Sequence, residues 1–334
     1  MKRDYLSIVE AAYALRADEG AWLQGITDAA GSVIDDGFGV CANTFDAGDP
    51  SRVVFGAGAT AGGMTREDLL AGQQASTSAP VAAVRKYFCE GPSVSFVNAQ
   101  AHIQPRKARA RARGKVKSAA AAPPAPDIMS LRAKNPFGKG VIVCVPISRA
   151  GRFGPRVRTR LGMVAAHLAA ALRLRMLGVQ PIEQSEAIFS ARGRPEHLSS
   201  DLEKAPLSAL ERGVEHLLEA RRLQRAEPDQ ALELWSALVG GRWSVFDQFD
   251  RDGRRFIVAR RNELALDDPR SLSTAERMIL LYASWGHSLK LIAYEVGLSP
   301  SSVFAHLKLA MRKLGLRQRS ELLGLFEPPT GKNA

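Results

Sequence analysis

The chain has 334 residues, of which 46% are hydrophobic, 24% charged and 7% aromatic. Such a composition buries real cores, and at roughly 100–200 residues per domain the length predicts two or three domains. It excludes wholesale disorder, and no run approaches the ~18 consecutive apolar residues of a membrane span. The net charge is +12, but Arg106, Lys107, Arg109, Arg111, Arg113, Lys115 and Lys117 supply seven of these charges and leave +5 on the rest. Basicity therefore does not by itself argue for nucleic-acid binding. Acids in the first twenty residues, where a secretory leader needs an uncharged apolar core, predict no leader. Cys41, Cys89 and Cys144 are odd in number, far apart and free of any C-x-x-C. They predict no disulfide framework and no Cys-rich zinc site, and a reducing cytoplasm is the expected location.

In chain order, residues 4–35 read as helices, with Leu6, Val9, Tyr13, Trp22 and Ile26 at helical spacings. FGVCANTF and SRVVF read as strands, separated by the turn residues Asp46, Gly48, Asp49 and Pro50. Gly56–Ala61 follows as a flexible glycine loop. A helix is predicted near 65–76, opening at Thr65 with Glu67 and Asp68 in its first turn, and another over 79–89. The basic run then reads as a solvated, disordered insertion at about 104–127. Non-specific attraction to nucleic acid is its functional alternative. GVIVCVPI (140–147) is the strongest strand, fit for a buried sheet position, and a long helix covers 155–177. This layout resembles the GAF-type sensor domains of cytoplasmic regulators, which end in a strand and a departing helix. The resemblance implies an α+β sensor-like domain over 1–178.

In the middle zone EAIFS reads as a short strand with a turn at ARGRP. Helices are predicted near 201–224 and 228–239, with Pro228 at a helix start. WSVFDQF and RRFIVAR form a strand pair joined by Asp250-Arg251-Asp252-Gly253, a strong hairpin signal. This small α/β region, 183–262, resembles a reduced PAS-like domain.

From Leu272 the chain is far more informative. Ser273-Thr274-Ala275-Glu276 is a capping box. Met278, Ile279, Leu281 and Tyr282 follow, and Gly286 stops the helix. Ser288 caps a second helix whose Leu289, Ile292, Ala293 and Val296 share one face, and Gly297 ends it. Ser299 fits the N-cap of a third helix and Pro300 its first position. Val303, Leu307, Ala310 and Leu314 form the buried stripe of that helix, and His306 near its edge reads as a packed core histidine. Ser301, Ala305, Lys308 and Arg312 fall on the opposite side. Small residues first and basic ones later suit a helix that enters the major groove. A short fourth helix, Ser320 to Phe326, follows.

LSTAERMIL and GHSLKLIAYEVGLSPSSVFAHLKLAMRKLGLRQRSELL together resemble the LuxR/GerE-type DNA-binding domain over about 272–326. The shared pattern is Leu272/Ser273/Glu276, Ile292-Ala293, Val303/His306 and Lys313-Leu314-Gly315. The resemblance implies an all-α four-helix helix-turn-helix domain over 266–328, which docks helix 299–314 in the major groove as a dimer. Ser288, Lys290 and Ser302 would meet phosphates and Lys308 would face the groove. The candidate DNA contacts are Ser273, Ser288, Leu289, Lys290, Ser299, Ser301, Ser302, Phe304, Ala305, Lys308 and Arg312. Helix four, with Ser320, Leu322 and Leu323, would supply the dimer contact. Two positions depart from the pattern. Phe304 stands where many members carry Lys or Arg; it either touches a thymine methyl or packs on a flank. Ala275 stands where Arg is frequent.

No catalytic constellation emerges. The G-x-G-x-x-A at 56–61 lacks a helix opening inside it and an acid about twenty residues on. His102, His167, His197 and His216 show no metal spacing, so neither cofactor nor metal is expected. Asp35-Asp36 follows a helix, without the β-α repeat that a receiver domain needs. The expected function is sequence-specific transcriptional regulation in a multidomain, non-enzymatic protein. The expected partners are double-stranded DNA, a second copy of the chain, RNA polymerase and an unidentified small-molecule or protein signal, with no membrane. A protein-binding adaptor, and a ligand-binding enzyme with an accessory helical domain, stay open as alternatives.

Overall fold

The computed structural model describes residues 4–15, 18–49, 51–90, 93–98, 127–135, 138–148, 153–176, 178, 182–200, 202, 204–250, 252–262 and 272–322. The basic run 106–117 and Leu323 lie outside the described residues. The chain divides into two compact units, one reaching Leu172 and one spanning Arg173–Glu327.

The first unit opens with α1 (Leu6–Ala12) and α2 (Glu19–Ile34). Asp18 starts α2 by accepting the Ala21 N–H at 2.8 Å. Trp22, Ile26, Ala30 and Ile34 then bury one stripe of it. After β1 (Val40–Asp46) and β2 (Val54–Ala61) comes α3 (Arg66–Thr77), opened by a reciprocal Thr65–Asp68 capping box. A short α4 (Val81–Val84) runs into a π-helical turn, Arg85–Glu90. Three strands follow, β3 (Val94–Asn98), β4 (Asp127–Lys134) and β5 (Lys139–Ile147), and then α5 (Pro155–Met176), which belongs to this unit as far as Leu172. The sheet order is β2-β1-β5-β4-β3, with every neighbouring pair antiparallel. β5 takes the centre. Its Val141, Val143, Val145 and Ile147 are fully buried, as the unbroken apolar run requires. α5 is buried all round over 161–172, where His167 Nδ1 meets the Tyr13 hydroxyl at 3.1 Å.

Three expectations need correction here. Gly56–Ala61 is part of β2 rather than a loop. A Cβ on Gly58 would stand 2.7 Å from Leu69 Cδ2 and 2.9 Å from Asn43 Oδ1, so the missing side chain lets α3 close on the sheet. β3 and β4 were not expected, and of the insertion expected at about 104–127 Asp127 belongs to β4, while 104–126 lie outside the described residues. In β4 the polar Asp127, Ser130 and Arg132 are all buried, so its sequence carries no readable alternation.

The second unit carries β6 (Ala187–Ser190), β7 (Pro195–Leu198), α6 (Lys204–Leu223), α7 (Pro228–Leu234), β8 (Trp243–Phe249) and β9 (Arg255–Arg261). They build an antiparallel sheet in the order β7-β6-β9-β8. The β8–β9 hairpin turns as expected, with Asp250 Oδ1 accepting from the N–H groups of Asp252 and Arg254 at 2.9 and 2.7 Å. Leu210, Val214, Leu217 and Ala220 give α6 a buried stripe. The helix predicted to run to 239 stops at Leu234, because Trp235, Leu238 and Val239 leave the helical path to be buried. β7 is a further strand that its exposed residues did not announce.

The same unit ends in α8 (Thr274–Ser284), α9 (Leu289–Val296), α10 (Pro300–Lys313) and a 3₁₀ turn at Arg319–Leu322. That turn covers the start of the helix expected over 320–326, of which 323–326 lie outside the described residues. Among the described residues no helix is long and apolar enough to cross a membrane.

Candidate nucleic-acid interface

The three C-terminal helices are each opened by a serine. Ser273 Oγ accepts the Glu276 N–H at 3.2 Å, and Glu276 Oε2 accepts the Ser273 N–H at 2.7 Å, which completes the predicted capping box. Ser288 Oγ accepts the Leu291 N–H at 3.2 Å, and Ser299 Oγ accepts the Ser302 N–H at 3.1 Å. α9 ends on Gly297 in the left-handed conformation, with φ of +64°. Leu298 N–H then donates back to the Ala293 carbonyl at 3.0 Å, which turns the chain toward α10. These caps fix the turn that sets α10 against α9.

Beneath them lies a continuous core of Met278, Ile279, Leu280, Ile292, Val296, Val303, Leu307, Ala310 and Leu322, among others. α10 therefore commits one stripe to this core and turns its other face outward. Ser301, Ala305, Lys308 and Arg312 are all exposed there, as the helical spacing predicts. Phe304 stands 57% exposed on this open side rather than packed on a flank, and Leu309 is 37% exposed. Ser302 and His306 are half-buried, so His306 is not the core histidine expected. Ser288 and Lys290 are exposed at the start of α9, while Leu289 is half-buried and packed on the core.

A buried carboxylate ties α10 to α8. Lys313 Nζ, at the end of α10, reaches Glu276 Oε2 at 2.8 Å and Oε1 at 3.0 Å. Burial pushes the Glu276 carboxyl up, but the Lys313 hydrogen bond and charge and the Ser273 N–H outweigh it. The net effect holds the group below its ordinary value. At the α8–α9 turn, His287 stacks on Tyr282 with ring centroids 5.6 Å apart, and its Nδ1 lies 3.1 Å from Glu295 Oε1. Arg319 donates to the His287 carbonyl and so pins the last described turn to this corner.

Sequence reasoning missed how the segment before this domain completes it. Leu238 is fully buried in the same core as Ile292 and Val296. The Tyr294 hydroxyl, on α9, sits against the carbonyls of Leu232, at 2.7 Å, and Trp235. Gly241 N–H donates to the Val296 carbonyl. A small cleft of about 90 Å³ remains in this contact, lined by residues including His216, Trp235, Val239 and Gly297. That is below the ~300 Å³ of ordinary ligand pockets. The available signal was Tyr294 itself, an aromatic residue off the single apolar face of α9. Lys290 Nζ comes within 4.0 Å of Glu233 Oε1, but both side chains are mostly exposed, so this pair is weak.

The dimer expectation needs adjustment. Leu322 is fully buried in the domain's own core and has no surface to offer a partner. Ser320 is exposed, and Leu323 lies outside the described residues.

A comparison with curated proteins found no match. Residues 270–326 match the family model GerE, "Bacterial regulatory proteins, luxR family". The C-terminal domain is thus of the GerE/LuxR type, and it supports a DNA-binding transcription regulator.

Proposed function

We propose that this protein regulates transcription by laying α10, Pro300–Lys313 with its caps Ser299 and Leu314, in the major groove of duplex DNA as a dimer. The observation that carries this reading is the open face of α10, with Ser301 and Ala305 small near its start and Lys308 and Arg312 basic toward its end. Small side chains let a helix sit deep, and basic ones reach guanine edges and phosphates. Ser288, Lys290 and Ser302, exposed or half-exposed beside it, take phosphates, as does the N-terminal end of α10. Ser273 and Ser299 act mainly as caps, and Leu289 supports the surface from beneath. Pairing of two copies uses Ser320 and Leu323, the second of which lies outside the described residues. The first unit, with its GAF-like succession of elements, receives a small-molecule or protein signal, and the PAS-like middle region relays it. The regulator then acts through RNA polymerase. No cofactor or catalytic step is part of this function.

The test is selection of bound sites from a random duplex pool by the full chain, followed by titration of Lys308→Ala and Arg312→Ala on the selected site. Each variant is expected to lose about 1–3 kcal/mol of affinity if its side chain reads a base edge. Unchanged affinity of both variants at low salt would instead favour a protein-binding adaptor.

A further inference from the structure

The first unit holds a feature that DNA recognition leaves unused. Cys41 on β1 and Cys144 on β5 are direct partners in an antiparallel pair, and Ser130 on β4 is the direct partner of Cys144. Directly paired residues point to the same side of a sheet, so the two thiols and the hydroxyl form one row across its centre. Ser130 Oγ lies 3.9 Å from Cys144 Sγ, and the Tyr87 hydroxyl closes on Ser130 from above. The Arg132 guanidinium stands 4.2 Å from the centre of the Tyr87 ring and donates to Ser95 Oγ at 3.1 Å, which brings a buried positive charge to the same row.

We infer that Cys41 and Cys144 are a disulfide-forming site, closed by a two-electron oxidant of the peroxide class. Partner residues of antiparallel strands have Cα atoms about 4.5–5.5 Å apart, inside the 4.4–6.8 Å that a disulfide spans. Cys144 is the attacking group. A hydrogen bond from Cys41 holds its thiol below the ordinary value against the cost of burial, with help from Ser130 and Arg132. The Cys41 thiol is held high by the same hydrogen bond and by burial, so Cys41 keeps the proton. Cys144 is also the more open of the two, half-buried where Cys41 is buried.

The chemistry balances in two steps. The Cys144 thiolate attacks one peroxide oxygen; an S–O bond forms, the O–O bond breaks, and the departing hydroxide takes a proton to leave as water. Cys41 sulfur then attacks Cys144 sulfur. The S–S bond forms, the S–O bond breaks, and the hydroxide released carries off the Cys41 proton as a second water. Two thiols are oxidised and one peroxide is reduced.

Cys89 provides an internal control. It is half-buried in the same unit, but it lies in the π-helical turn Arg85–Glu90 rather than in the β1–β5 pair, and its Sγ donates to the Ala47 carbonyl at 3.7 Å. The full-length protein is treated with stoichiometric hydrogen peroxide, denatured, and assayed for free thiols and for linked peptides without reductant. The expected result is loss of two of the three thiols, the loss of two hydrogens from the intact mass, and a Cys41–Cys144 peptide that dithiothreitol releases. Cys89→Ser should behave identically, and Cys144→Ser should form no intramolecular link. Three titratable thiols after treatment, a link through Cys89, or terminal oxidation of Cys144 without a link would overturn the inference. Because wild type and Cys89→Ser decide the matter, poor folding of a Cys144 variant does not obscure it.

Discussion

Glu276 carries several jobs in one side chain. Its backbone N–H completes the Ser273 cap, its carboxylate caps in return, and the same carboxylate receives Lys313 from the far end of α10. Glu276→Gln keeps the shape and removes the charge, so we expect a loss of about 1.5–3 kcal/mol, the range for hydrogen bonds to charged groups. The pH dependence follows from the depressed folded-state value. The contribution is complete above the unfolded-state value of about 4.3 and disappears as pH falls through the folded value. Urea unfolding of the second unit, followed between neutral pH and about pH 3, should show a steeper acid loss in wild type than in Glu276→Gln. Parallel acid profiles would show that the Lys313 tie contributes nothing.

At the scale of elements, the turn between α9 and α10 decides where the open face points. Gly297 has φ of +64°, and a Cβ there would stand 2.6 Å from the Leu238 carbonyl oxygen and 3.1 Å from Val239 Cα. Gly297→Ala therefore meets both left-handed strain, about 1–2 kcal/mol, and a backbone that must give way. We expect a lowered melting temperature together with weakened DNA binding. A melting point equal to wild type would mean that the turn adapts freely. These helix boundaries were legible in the sequence. Ser273, Ser288, Ser299, Pro300, Gly286, Gly297 and Gly315 are local signals whose physics acts within a few residues. β4 was not legible, since Ser130 and Arg132 are buried by partners distant in sequence. The glycines of β2 misled for a related reason: their absent side chains serve packing against Leu69 and Thr44, not a turn.

For the whole molecule, the C-terminal domain does not stop at its own first helix. Leu238 fills its core from the preceding region, and Tyr294 is held by carbonyls of Leu232 and Trp235. Leu238→Ala should cost about 2–5 kcal/mol, as for other buried leucines. The loss should appear as faster amide exchange in α8 and α9, outside the segment mutated. Exchange confined to residues near 238 would argue that the two regions fold independently. The exposed face of α10 could be read from helical spacing alone, because it needs only the period of the helix. Its support from Leu238 could not, because that contact depends on a chain path no local pattern encodes. The central claim is that this face meets the bases. A photoreactive benzoylphenylalanine in place of Ala305, exposed on α10, tests it in one step. Irradiation with the selected duplex should give a cross-link mapping to major-groove base atoms. Retained binding with no cross-link from position 305 would contradict the account.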